Sequence, residues 1–298
     1  MKEEFRPQNF RPDSLELINS CDEIINDFMQ QGLRLTLRQL YYQLVTKNII
    51  KNEERSYKNL SNLVSDARLA GHLDWDAIED RIRVPSIPAE WENIKSIVES
   101  ALYSYRLPRW KDQPQYVELW VEKDALAGVL RPLAEKHHVT MMVNRGYSSQ
   151  SAMYEASKRF MRRQEDGKEL TLLYLGDFDP SGEDMVRDIA DRMQMFGIAL
   201  NVRKIALTMD QVRQYNPPPN PAKIKDPRAA GFIAEHGASS WEVDAINPTE
   251  LRGIITRELD ACIDKFRMTK IINQEGHDKA RLREAVEKIM GGGSDGMR

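Results

Sequence analysis

The run Gly176-Asp177-Phe178-Asp179-Pro180-Ser181-Gly182, directly after the mostly apolar residues 170–175, limits the possible folds more than any other part of the sequence. That stretch, Leu-Thr-Leu-Leu-Tyr-Leu, reads as a strand. The sequence therefore predicts strand, turn and helix (183–196), with two carboxylates at the carboxyl end of the strand. The same grammar surrounds it. Residues 116–121 form a β-rich run that stops at Glu122 and leads into a helix over 125–136. Residues 140–143 form a strand that enters the turn 144–149 and a helix to about 163, and 200–207 reads as a fourth strand. Strand and helix in alternation imply a parallel sheet with helices on its faces. Ligands of such sheets sit beyond the carboxyl ends of the strands.

Glu122, Asp177 and Asp179 are thereby expected along one sheet edge. Carboxylates gathered without counter-charge repel one another, so a divalent cation is a natural partner. Hard oxygen ligands with no nearby His or Cys favour Mg²⁺, with Mn²⁺ as a substitute, over zinc. An Asp-x-Asp alone more often caps a helix, and it is the strand-end glutamate and the glycine turns that strengthen the metal reading. Glu183 and Asp184 in the next turn suit a helix N-terminus, and a role at a second metal stays open for them. His137 and His138 suit a helix C-terminus.

Upstream, Leu15, Ile18, Cys21, Ile25, Phe28 and Met29 recur at helical spacing and Gly32 ends the run. Thr36 is placed to cap a second helix whose Leu37, Leu40, Tyr41, Leu44 and Val45 share a stripe. At about 100° per residue Tyr41 falls inside that stripe, whereas Tyr42 turns off it towards Arg38 one turn earlier, which predicts a structural Tyr41 and an available Tyr42. A third helix over 56–73 points Leu60, Leu63, Val64 and Ala67 inward and Lys58, Asn59, Asn62 and Arg68 outward. Helix, short strand, helix, helix resembles a winged-helix unit, in which those outward residues would meet DNA, while Arg145, with Lys158, Arg159, Arg162 and Arg163 on or near the helix after the second strand, would supply a basic wall for it. The plain alternative for each is a solvated helix face.

The whole chain has 298 residues, 41% hydrophobic, with 43 Lys+Arg against 46 Asp+Glu and a formal charge of −3, enough apolar material for a core and too little basic excess for a wholesale polycation. Two cysteines, Cys21 and Cys262, cannot make a disulfide framework and read as core residues of a cytoplasmic protein. No stretch approaches the roughly 20 apolar residues of a membrane span. The acidic, proline-punctuated start is unlike a signal peptide.

These residues resemble the topoisomerase VI A subunit and meiotic double-strand-break transesterase family, in a free-standing form. Val121-Glu122-Lys123, Asn144-Arg145-Gly146-Tyr147 and residues 176–182 are similar to the glutamate, glycine-turn and Asp-x-Asp-Pro-x-Gly motifs of its Toprim domain. Thr36-Leu37-Arg38-Gln39-Leu40-Tyr41-Tyr42 is similar to its tyrosine motif. The resemblance, covering roughly residues 33–260, implies an α/β protein with a CAP-type winged-helix domain (1–83), a linker (84–112), a Toprim domain with a parallel sheet flanked by helices (113–266) and a C-terminal helix and tail (267–298). It implies a type IIB topoisomerase-like cleavage in which Tyr42 attacks a DNA phosphodiester, Arg38 and Glu122 assist, and Glu122, Asp177 and Asp179 hold Mg²⁺. It also implies a homodimer that pairs the tyrosine of one subunit with the metal site of the other, and a separate ATPase subunit for strand passage. The chain itself carries no Gly-x-x-x-x-Gly-Lys-Ser/Thr loop. A Toprim nuclease using metal-activated water, and a DNA-binding protein without cleavage, are the competing readings.

Overall fold

The computed structural model describes residues 1–78, 88–144, 146–221 and 226–291, with side chains described to 288. Arg145 and the start of the expected linker lie outside the described residues. The chain divides into two units, one joining Met1–Val84 to Val117–Ala261 and the other joining Pro85–Tyr116 to Cys262–Arg298.

The first unit opens with three helices, α1 (Pro12–Gln30), α2 (Leu37–Thr46) and α3 (Glu54–Leu69). Pro12 rather than a side-chain cap starts α1. Thr36 starts α2 through a full capping box, its hydroxyl accepting from Gln39 N while the Gln39 side chain accepts from Thr36 N. Ile18, Ile25, Leu40, Leu44 and Leu60 are almost fully buried where the three helices meet, and Leu35 pairs with Ile78 in a parallel bridge.

In chain order there follow α4 (Ile94–Ser104), β1 (Gln115–Val121), α5 (Ala127–His137), β2 (Thr140–Val143), α6 (Gln150–Glu165), β3 (Glu169–Leu175), α7 (Pro180–Met195) and β4 (Leu200–Ala206). After them come α8 (Met209–Tyr215), β5 (Asn220–Pro221), α9 (Ala229–His236), β6 (Ser239–Ser240), α10 (Pro248–Ala261) and α11 (Lys265–Gly291). The main sheet is parallel with strand order β2-β1-β3-β4. Leu119, Trp120, Leu172, Leu173 and Tyr174 show no exposure, as strands covered on both faces require. From β1 the chain crosses one way to β2, then back past β1 to β3 and on to β4. Right-handed crossovers in opposite senses put α5 on one face and α6 and α7 on the other. Contacts agree: α10 packs on α5, and α6 packs on α7 and β3. The reversal falls between β1 and β3, where parallel sheets open a crevice at their carboxyl edge.

The expected mixed α/β architecture with a parallel sheet flanked by helices is present. Both cysteines are buried, and burial pushes the Cys21 thiol up to about 12. No described helix is long and apolar enough to cross a membrane.

In the second unit, Glu275 of α11 is 4% exposed, accepts from Arg109 at 3.2 Å and from Leu107 N, and takes Lys279 at 3.2 Å. Gln113 spans the same unit, donating to Asp264 O and accepting from Asp264 N.

Gly182 shows how tightly the turn after β3 is wound. A Cβ there would stand 2.1 Å from the Asp177 carbonyl oxygen, which is backbone and cannot step aside. Gly182→Ala is therefore expected to destabilise the protein by at least about 2 kcal/mol, read as a lower urea midpoint at unchanged slope.

Candidate active site at the sheet edge

Glu122 and Asp177 end the adjacent strands β1 and β3, so they flank the crevice. Glu122 Oε2 accepts from Asp177 N at 3.1 Å. Gly176 permits this closeness, because a Cβ on it would lie 2.9 Å from Glu122 Oε2 and 2.7 Å from the Tyr174 ring. The Tyr174 hydroxyl is buried there with no hydrogen-bond partner among the described residues. Asp179 Oδ1 caps α7, accepting from Gly182 N at 2.7 Å and from the Ser181 hydroxyl. Asp177 Oδ1 accepts from Val243 N at 2.9 Å. The segment after β6 is thus tied to the turn after β3, and Phe178 and Trp241 complete the tie by exchanging two backbone hydrogen bonds.

That segment carries Glu242 and Asp244, and with Lys123 they form the centre of the site. The Lys123 ammonium lies 2.9 Å from Asp177 Oδ2, 3.0 Å from Glu242 Oε2 and 3.0 Å from Asp244 Oδ1. From the other side α2 delivers Arg38, which pairs with Glu242 and, at 3.1 Å, with Asp244 Oδ2. Tyr42, one helical turn after Arg38, donates its hydroxyl to Glu242 Oε2 at 2.8 Å. Arg38 and Tyr42 share a helix face, as the sequence spacing predicts, with the guanidinium 5.8 Å from the ring centre. Tyr42 is nevertheless only 3% exposed. The expectation of an available tyrosine is corrected here: α2 is covered on that side by the 241–245 segment, a long-range packing that a helical wheel cannot display. Tyr41 is also buried, and its hydroxyl bonds instead to Asn52 Oδ1 at 3.0 Å.

The charges set the protonation states. Burial opposes charge on Lys123 and Arg38, but Asp244 and the other carboxylates more than offset it and hold both cations above their usual ranges. Glu242, despite burial, is held down at about 2 by Lys123 and Arg38. Burial pushes the Asp177 carboxyl up to about 7, against the pull of Lys123. Burial, and then Glu242, push the Tyr42 phenol well up, with Arg38 pulling the other way.

Arg38, Tyr42, Asp177, Asp179, Trp241 and Glu242 line one cavity of about 440 Å³ within this unit. The three acids expected to share a cation come to the same edge but do not fit one as they stand. Asp177 is taken by Lys123, Asp179 by the α7 backbone and Glu122 by the Asp177 amide. Among the described residues, no group of three or more His, Cys, Asp or Glu side chains is placed to hold a metal ion. Glu183 pairs with Lys204 at 2.5 Å, and Asp184 with Tyr147 at 2.8 Å.

The expected DNA-contacting residues on α3 are not part of this cavity. Lys58 is exposed and pairs with Glu54 at 2.7 Å, and Asn59 and Asn62 are exposed along a separate groove. Arg68, expected outward, is half-buried: it donates to Trp75 O at 2.8 Å and stacks 4.5 Å from that ring. On α6, Arg159 is spent on the fully buried Glu118, with contacts of 2.8 and 2.9 Å.

Nothing in the sequence alone marks Lys123, Glu242 or Asp244 as members of a site. A lysine after a strand-end glutamate and two acids in Trp-Glu-Val-Asp carry no local period that could have marked them. No protein-family model matches the chain, and no curated protein sequence matches it.

Lys123→Met would leave two buried carboxylates facing each other, since the side chains of Asp177 and Asp244 are 8% and 0% exposed. The expected destabilisation is about 3 kcal/mol by urea unfolding. Glu242 contributes in the opposite pH sense to a raised acid. Its folded value of about 2 lies below the ordinary carboxylate range, so its stabilisation is complete above that range and is lost as pH falls towards 2. Stability measured down that window is expected to fall more gently in Glu242→Gln than in the wild type.

Proposed function

We propose that the chain cleaves DNA by transesterification with Tyr42 as nucleophile. In this reading residues 1–83 are the winged-helix part, the parallel sheet belongs to a Toprim domain, and the chain is a relative of topoisomerase VI A subunits. The observation that carries the reading is that Tyr42, Arg38, Asp177 and Asp179, drawn from two separate sequence motifs, line one cavity at the crevice of the sheet.

The chemistry follows from the side chains. The Tyr42 oxygen attacks phosphorus, a bond from that oxygen to phosphorus forms and the bond from phosphorus to O3′ breaks. The 5′ phosphoryl group stays on Tyr42, the phenol proton passes to solvent, and O3′ leaves as a hydroxyl with a proton from solvent. Bond order is conserved, so the reverse step reseals the strand. A phenol held in its protonated form is a poor nucleophile, and a fixed cation beside it is what makes ionisation accessible. Arg38 has that position, and its fork suits phosphate oxygens. Family resemblance implies action across a dimer. Here tyrosine and acids line a cavity of a single chain, and we assign the reaction to one chain.

The test is a denaturing-gel assay for covalent protein–DNA adducts on labelled supercoiled and linear DNA, in Mg²⁺, Mn²⁺ and EDTA. An adduct is expected with wild type and Tyr41→Phe, with a loss on the order of 10³-fold or more in Tyr42→Phe. Cleavage without adduct that survives Tyr42→Phe would turn the reading to a hydrolytic nuclease. Mixing Tyr42→Phe with Asp177→Ala is expected to leave both inactive, because each chain lacks part of its own site. Recovery of adduct in the mixture would place the reaction across subunits instead.

A further inference from the structure

Three donors of different chemistry converge on one oxygen of Glu242. Oε2 accepts from Tyr42 at 2.8 Å and from Lys123 at 3.0 Å, and it is the atom paired with Arg38. A guanidinium, an ammonium and a phenol aimed at a single anionic oxygen is the donor set that recognises a non-bridging phosphate oxygen. We infer that Lys123, Arg38 and Tyr42 form the seat of a DNA phosphodiester, and that Glu242 occupies this seat in the free protein as an internal mimic of the phosphate. The inference rests on the reading of Tyr42 and Arg38 given above and adds Lys123 and Glu242 to it.

Two features of the surroundings fit an exchange of one anion for another. Asp244, fully buried and outside the cavity lining, is ion-paired with Arg38 at 3.1 Å and with Lys123 at 3.0 Å, so both cations keep an anionic partner when Glu242 leaves. Glu242 is partly exposed, at 23%, as is Arg38, at 44%, so the carboxylate lies on the solvent side. Its backbone is pinned on both flanks, by the Phe178–Trp241 pairing and by Val243 N on Asp177. Release therefore needs only a side-chain rotation. An anion that sits 2.8 Å from the Tyr42 oxygen also puts the atom bearing it close to attack distance. While Glu242 holds the seat, Tyr42 is covered, its hydroxyl is committed as a donor, and the adjacent negative charge disfavours the phenolate.

The test is binding of a short fluorescein-labelled duplex by anisotropy in EDTA, across a salt series, with wild type, Glu242→Gln, Glu242→Ala and Asp210→Asn. Asp210 is exposed, at 92%, and serves as the control for loss of one negative charge. Both Glu242 variants are expected to bind about tenfold tighter than wild type and than Asp210→Asn. The slope of log Kd against log salt is expected to steepen by about 1 to 2, because Arg38 and Lys123 become free to neutralise phosphate. Adding Arg38→Gln to Glu242→Gln should return affinity towards wild type. Circular dichroism confirms that each variant is folded, and the two Glu242 variants back each other up. Equal gains in Glu242→Gln and Asp210→Asn, or no gain in either folded Glu242 variant, would overturn the inference. A gain confined to competition by inorganic phosphate, with duplex affinity unchanged, would also overturn it. The adduct assay reads the transesterase proposal separately. Tighter binding without adduct keeps the phosphodiester seat and removes the cleavage reading, and adduct without tighter binding does the reverse.

Discussion

Lys123 is the interaction on which the arrangement of the first unit turns. Its ammonium is surrounded by Asp177 from the end of β3 and by Glu242 and Asp244 from the segment after β6. Arg38 of α2 then closes on the same two acids of that segment. Burying a carboxylate without a partner costs several kcal/mol, and Asp244 has no exposure at all. The cations therefore have to be where they are for the three-helix part and the sheet edge to meet in this way. A hydrophobic contact between the same elements would hold them together more cheaply. It would leave nothing at the crevice that can bind an anion.

The parts of the molecule set by short-range pattern were legible in the sequence. Residues 140–143 show a strand, and the capping box at Thr36 marks the start of α2, because each depends on neighbours within a few positions. The helix expected from residue 183 is present but starts at Pro180, with Asp179 as its cap. The sheet edge followed from alternation, whereas the placing of Glu122 beside Asp177 depends on the strand order, which alternation leaves open. What stayed hidden depends on chain topology. Tyr42 reads as outward on a helical wheel, yet it is covered by residues two hundred positions later. Arg68 reads as outward and instead packs on Trp75. Glu242 and Asp244 carry no periodic signal, and their importance comes from the two backbone hydrogen bonds that dock Trp241 onto Phe178.

The same difference between local and long-range determination applies to the acids themselves. A sequence view sees Glu122, Asp177 and Asp179 as uncompensated charges and assigns them a shared cation. The fold compensates each of them differently. Asp179 is consumed by the first turn of α7, where a carboxylate both satisfies orphan N–H groups and favours the helix dipole. Asp177 is divided between the Val243 amide and Lys123. A strand-end acid thus acts as a structural fastener before it acts on any ligand, and a cation competing for Asp177 meets an ammonium already in place.

Electrostatic balance makes the proposed seat for a polyanion compatible with a protein of net negative charge. The formal charge is summed over the whole surface, whereas recognition depends on the field within a few ångströms, where screening by salt is weak. Exposed Glu53 and Glu54 also line the cavity, but the carboxylate paired with Lys123 and Arg38 is the partly exposed Glu242, with the buried Asp244 holding the same two cations. Exchanging Glu242 for a phosphodiester replaces one singly charged anion by another. The buried part of the network therefore keeps its charge, and the desolvation already overcome in folding is not incurred again. The net gain comes from the remaining backbone phosphates of the duplex and from counterion release along it. On this argument the affinity of the seat itself is nearly neutral by construction. In the reaction we propose, the covered Tyr42 becomes accessible only when a duplex long enough to add those outer contacts displaces the carboxylate, which would tie exposure of Tyr42 to the presence of a polymeric substrate.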